Sequence, residues 1–149
     1  MTDFNDWLAI CNVKAAYCRL LDAKDWDGWK QLFTEDCEMD VRDSGGTLEH
    51  GRDEFVASVR ASIETTKTCH QVHSPEITLA GDSATVIWAM QDRLLWEDGR
   101  TMTGYGHYHE RYVKQDGRWR IAQQQPGARR WRNRSPRASR AKSDASNLL

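Results

Sequence analysis

Asp22, His70, His73 and the run Tyr105–His109 hold the residue types with which this chain could move protons. Asp22 stands near the C-terminal end of a helical pattern, where the helix dipole opposes a negative charge by roughly a few tenths of a kcal/mol. At about 100° per residue it falls in line with Cys11, Ala15 and Cys18, a stripe of small side chains that leaves space beside the carboxylate. That space makes the acid usable; a solvated acid at a helix end is the alternative. His70 and His73 open a strand-like run and alternate to opposite faces, so at most one of them meets an interior pocket. A surface or satisfied core histidine is the alternative there. In Tyr105-Gly106-His107-Tyr108-His109, Tyr105, His107 and His109 share a face while the glycine interrupts the pleat. His107 and His109 could join His70 or His73 around a metal, but no carboxylate or cysteine completes a recognisable ligand set, and no metal is expected. The seven tryptophans, Trp26 and Trp88 among them, read as core and wall, with some available to line a pocket for a flat apolar ligand.

The elements that must position these groups follow from periodicity. Ile10, Val13, Tyr17, Leu20 and Leu21 predict an amphipathic helix from about Asp6 to Ala23, capped near Thr2 or Asn5. Asp25 is placed to cap a second, short helix through Trp26, Trp29, Leu32 and Phe33. Cys37, Met39 and Val41 alternate as a strand ending at Ser44-Gly45-Gly46, and a third helix follows, capped by Asp53 and apolar at Phe55, Val56, Val59 and Ile63. Four antiparallel strands come next, Thr68–Leu79, Ala84–Glu97, Arg100–Lys114 and Arg118–Gln125, separated by Gly81-Asp82, Asp98-Gly99 and Asp116-Gly117. Gly104 and Gly106 are natural sites for a bulge or kink. The expected fold is α+β: a cone-shaped α+β barrel in which a strongly bent antiparallel sheet and three N-terminal helices enclose a pocket.

Composition narrows the function classes. A chain of 149 residues supports one core. Without an apolar run of membrane-spanning length, and with an N-terminus unlike a signal peptide, a soluble cytoplasmic protein with no membrane partner is expected. Cys11, Cys18, Cys37 and Cys69 form no C-x-x-C pair and read as reduced thiols. The net charge of −1 conceals an asymmetry, because residues 126–149 carry Arg129, Arg130, Arg132, Arg134, Arg137, Arg140 and Lys142 against Asp144 alone. The organisation expected is a domain over 1–125 and a basic, disordered tail over 126–149, with nucleic acid binding disfavoured for want of apolar content.

No G-x-G-x-x-G, P-loop, G-x-S-x-G or H-E-x-x-H motif is present, which removes the main support for nucleotide, α/β-hydrolase and zincin readings. The helical start, the long strands, L-D-A-K-D-W-D-G-W at 21–29 and Y-V-K-Q-D-G-R-W-R-I at 112–121 together resemble the SnoaL-like, NTF2-like superfamily over most of 3–125. Within it the nearest echoes are scytalone dehydratase and hexachlorocyclohexane dehydrochlorinase. The resemblance implies that Asp22 is the dyad aspartate and His70 the base, with His73 as fallback. It makes His107 the counterpart of a second catalytic histidine, with Tyr105 as the alternative, and Tyr17 a substitute for a tyrosine that the dehydratase has where Leu21 stands here. Trp26, Trp88 and His73 would join Tyr17 and Tyr105 in binding substrate.

What this implies is a cofactor-independent lyase or isomerase, a dehydratase, elimination or cyclisation enzyme, using His-Asp acid–base chemistry on a small hydrophobic cyclic molecule. Its rival is a non-catalytic ligand-binding or scaffold protein of the same fold, such as the small subunit of a ring-hydroxylating dioxygenase. A homodimer or homotrimer through the convex sheet face is expected.

Overall fold

The structure, a computed structural model, describes residues 3–44, 46–125 and the backbone of 130–134. Helix α1 spans Phe4–Ala23, starting two residues before the expected Asp6; its cap is Asp3, whose carboxylate accepts the backbone N–H of Asn5 at 2.8 Å. Its buried side is Ile10, Lys14, Tyr17 and Leu21, the i, i+4, i+3 rhythm of a helix lying on a sheet. The helix stops where Lys24 turns left-handed at φ 60°, and Asp25 then caps α2, Trp26–Lys30, by accepting the N–H of Gly28 at 2.9 Å. Helix α2 is shorter than expected, because Phe33 already opens strand β1, Phe33–Asp40. A 3-10 turn, Arg42–Ser44, and a three-residue strand β2, Leu48–His50, precede α3, Arg52–Ile63. Gly51 at φ +95°, not Asp53, forms the N-cap of α3; Asp53 sits in the first turn and pairs with Lys30 at 2.8 Å.

The four long strands match the alternation closely: β3 Lys67–Ala80, β4 Ser83–Leu95, β5 Thr101–Gln115 and β6 Arg118–Gln125. Asp116 and Gly117 both take positive φ, 50° and 72°, as a tight two-residue hairpin requires. The sheet runs β2-β1-β6-β5-β4-β3, with β7, Arg130–Arg134, pairing antiparallel to the Thr101–Tyr105 end of β5. Residues 126–129 and 135–149 of the expected basic tail, and Gly45 of the expected turn, lie outside the described residues.

The closed cone is not what forms. β1 joins β6 in parallel, so the sheet is mixed; β2 and β3 stand at opposite ends without meeting, so it is open, and it is not strongly curled. Part of the reason lies in β5, whose register with β4 runs unbroken from Thr101 to Val113 through Gly104 and Gly106. These glycines carry no bulge in that ladder, so the kink expected of them is absent and β5 keeps its ordinary twist there. Register shifts fall instead between Phe33 and Glu38 of β1, between His73 and Glu76 of β3 and between Arg111 and Tyr112 of β5.

The core lies between the helices and one face of this sheet. Trp29 is its aromatic centre, with ring centroids 4.9 Å from Phe33, 5.3 Å from Phe55 and 5.3 Å from Tyr17. Beside it an ion pair is sealed from solvent: Lys14 Nζ donates to Glu110 Oε1 at 2.6 Å, both side chains 0% exposed. The ammonium also lies 4.0 Å and 3.8 Å from the ring centroids of Tyr17 and Tyr108, and the Tyr112 hydroxyl donates to Glu110 Oε2 at 2.7 Å. Among the described residues, no helix is long and apolar enough to cross a membrane.

Breaking such a pair leaves one charge buried and uncompensated. Lys14→Met should therefore lower the unfolding free energy by about 3–5 kcal/mol, measured by urea denaturation. Adding Glu110→Gln, which keeps an acceptor for Tyr112, should recover part of that loss.

Candidate active site

Asp22 and His70 meet although 48 residues separate them in the chain. The helix α1 brings the carboxylate to the start of β3, where it accepts from three donors: His70 Nδ1 at 2.6 Å, the His70 backbone N–H at 2.9 Å and the Thr68 hydroxyl at 2.8 Å. Lys24 Nζ in turn donates to Thr68 Oγ1 at 2.8 Å. Burial is the largest single influence on Asp22 and by itself would raise its pKa. The ring and backbone hydrogen bonds from His70, its charge and the Thr68 hydroxyl together outweigh burial and hold the carboxyl below its ordinary value. A carboxylate bound to Nδ1 fixes the Nδ1–H tautomer and leaves Nε2 as the basic nitrogen.

His70 borders two spaces. On one side is a cavity of about 210 Å³ between the helices and the sheet, with an apolar wall from Leu21, Phe55, Val59, Ile63, Leu94 and Met102. Tyr17, Asp92, Tyr108 and Gln124 add polar groups to it. On the other side is an open cleft of about 560 Å³ where the small stripe Cys11, Ala15 and Cys18 faces His70, Gln71, Val72, His73 and Trp88. The stripe thus faces a cleft that His70 borders, while Asp22 itself lines neither space. Burial pushes the Cys18 thiol up to about 11, so it stays protonated near neutrality and is no nucleophile.

The other expected site residues separate into two groups. Tyr17 lines the cavity, and His73 and Trp88 line the cleft. Trp26 is buried edge-on against Trp29, with centroids 6.0 Å apart, and borders neither space. His107 and Tyr105 point away from the cavity: Tyr105 is 50% exposed, and His107 is exposed on the same face of β5. The cause is strand parity. Tyr108 pairs with buried Trp88, so the even-numbered side chains of β5 face inward and the odd-numbered ones outward.

The inward positions of the sheet hold what the sequence reading missed. Asp92, opposite His70 in the β3–β4 ladder, is 3% exposed and accepts the Tyr108 hydroxyl at 3.0 Å. Gln124 on β6 is 2% exposed. The signal for Asp92 was present, since it continues the inward series Ala84, Val86, Trp88 and Met90. Among the described residues, no group of three or more His, Cys, Asp or Glu side chains is arranged to hold a metal ion.

Known proteins share this architecture. Rv3472 of Mycobacterium tuberculosis, a protein of unknown function solved with an aspartate replaced by asparagine, is 30% identical at TM-score 0.71, over 88% of this chain and 73% of that one. A candidate scytalone dehydratase from Novosphingobium aromaticivorans is 24% identical at TM-score 0.79, over 93% of this chain and 95% of that one. A type 2 hexachlorocyclohexane dehydrochlorinase is 12% identical at TM-score 0.78, over 89% and 91%, a likeness of fold. The model of the SnoaL-like domain matches residues 2–124, nearly the whole described α+β unit, and on that match the chain belongs to the SnoaL-like domain family.

Proposed function

We propose that this protein is a cofactor-independent lyase or isomerase in which His70 is the general base and Asp22 its orienting carboxylate. The observation that carries the reading is the 2.6 Å contact between His70 Nδ1 and Asp22 Oδ1 at the edge of a largely apolar cavity. Two proteins of similar fold are named for eliminations, a dehydratase and a dehydrochlorinase, which agrees with this chemistry. Fold alone would not select it, since one fold serves many functions.

In the proposed reaction His70 Nε2 takes a proton from a carbon next to an activating group. The C–H electron pair becomes the new double bond as the leaving group departs with its own bonding pair. Asp22 stabilises the imidazolium formed meanwhile, and that imidazolium returns the proton to the leaving group. Tyr17 lines the cavity, and in this reading its hydroxyl donates to an oxyanion developing on an activating carbonyl. Tyr105 and His107, directed away, take no part. The substrate is a small hydrophobic cyclic molecule, because most of the wall it meets is aliphatic or aromatic.

Loss of a positioned acid–base group typically costs about 10²–10⁴-fold in rate. Asp22→Asn and His70→Ala should each lower turnover of a β-hydroxy or β-halo cyclic ketone by that order, with circular dichroism unchanged. Full activity in either variant refutes the mechanism. Unaltered ligand binding in His70→Ala, with no turnover of any such ketone by wild type, would identify a binding module instead. Nitrogen-15 spectra test the pair without a substrate: His70 should be held as the Nδ1–H tautomer, and Asp22→Asn should release it.

The charge on Asp22 also sets a pH dependence. Its folded-state pKa lies below the unfolded value near 3.8, so the unfolded chain binds more protons in that range and stability rises with pH there. The stabilisation is complete above the unfolded pKa and lost as pH falls through the folded one. Thermal melts of wild type and Asp22→Asn should therefore differ near neutral pH and converge as pH drops below about 3.8.

A further inference from the structure

We infer that Gln124 is a specificity-determining residue that selects a substrate bearing a hydroxyl group at the end remote from its reacting carbon. The inference rests on the proposed reading in taking the cavity as the substrate site, and extends it from a hydrophobic molecule to one with a defined polar handle.

Gln124 lines that cavity, is 2% exposed, and its carbonyl Oε1 is buried with no hydrogen-bond partner. Its chain neighbour Gln123 behaves differently, donating from Nε2 to Glu38 at 3.1 Å. Nearby, Tyr108 donates to Asp92 Oδ2 and Glu110 accepts from both Lys14 and Tyr112, while Trp26, Trp29 and Trp88 Nε1 and Thr34 Oγ1 are buried without a hydrogen-bond partner as Gln124 Oε1 is. A buried amide without a partner costs about 1–3 kcal/mol, and such groups are rare in folded proteins. The residue lines the cavity but Oε1 itself is sealed, so a group in the cavity pairs with the carbonyl only once the side chain turns to present it.

The chemistry of the amide narrows that group. A half-turn of the side chain exchanges its oxygen and nitrogen, so a partner that both donates and accepts fits either orientation. A hydroxyl does; a halogen or a plain hydrocarbon edge leaves the carbonyl unpaired. Position separates this hydroxyl from the leaving group. His70 is on β3 and Gln124 on β6, with β4 and β5 between them. Their ladder partners on β5, Gly104 and Glu110, also stand six residues apart, so three strand spacings of about 4.8 Å and an offset of about 20 Å along the strand both separate the two side chains. The hydroxyl at Gln124 is therefore a recognition group, while bond breaking occurs at the His70 end.

The test uses 2-naphthol and 2-fluoronaphthalene, which differ in the ability of one small substituent to donate a hydrogen bond, with binding measured by equilibrium dialysis. The affinity ratio of naphthol to fluoronaphthalene should fall by roughly tenfold or more from wild type to Gln124→Leu. Gln124→Met, which keeps the length of the side chain, should give the same fall and guards against a leucine that packs poorly. An unchanged ratio in both variants overturns the inference, as does failure of wild type to bind 2-naphthol. Neither probe has an eliminable group, so the result does not depend on turnover. If His70→Ala keeps the wild-type ratio while wild type turns over no cyclic ketone, the catalytic reading fails and the Gln124 site stands.

Discussion

The salt bridge between Lys14 and Glu110 constrains everything that α1 brings to the sheet. Both charged groups are sealed from solvent, and each finds compensation in one arrangement only: ammonium against carboxylate at 2.6 Å, two tyrosine rings around the cation, and a third tyrosine on the remaining carboxylate oxygen. An apolar helix face tolerates sliding by a methylene or two; a desolvated ion pair does not. The pair thereby favours one rotation and one axial position of α1. Eight residues beyond Lys14, about 12 Å along the helix axis, Asp22 arrives at the start of β3, at Thr68 and His70. An error of one residue would carry the carboxylate about 100° around the helix and away from His70.

The cost of placing Asp22 there is met locally. A carboxylate near the C-terminal end of a helix opposes the dipole, and burial of its surroundings adds to the penalty. Three donors converge on it, two of them from His70, so the partner that needs the acid also neutralises it. Lys24, held left-handed at the helix end, reaches the same cluster through Thr68. The turn that ends α1 and the pair at its end are thus one structure: a helix running on past Ala23 would carry Lys24 away from Thr68.

The sequence made the hairpins legible because their signals are local. Asp116-Gly117 and Asp98-Gly99 mark turns whichever way the sheet faces, and the four long strands fall within a few residues of their expected bounds. Spacing alone left Asp22 as a solvated acid or a usable one and His70 as a surface or core residue; only the family resemblance put the two together, and the structure brings them into contact. The inward face of β5 was not legible. Its aromatic and histidine residues fall on both parities, and only the ladder to β4, which sets Tyr108 opposite Trp88, decides between them. Lys14 was missed for a related reason, since a lysine in a helix reads as solvated until the opposing carboxylate of Glu110 is seen. The closed cone failed because two glycines in a strand suggest a kink, whereas here they pair without interruption.

Placement of polar groups on the sheet floor shows how the cavity differs from the rest of the core. In the core, polar atoms bury themselves in mutual pairs, as Lys14, Glu110 and Tyr112 do, and such closed sets specify packing without offering anything to a ligand. Along the cavity the same sheet presents a row that crosses four strands, from His70 through Asp92 and Tyr108 to Gln124, under an aliphatic roof from α1 and α3. Stability alone would favour apolar side chains in that row, because each polar group there must recover its hydration from a neighbour. Departure from the local rule along the wall of a cavity that His70 borders is the pattern expected where something other than folding stability sets the residue.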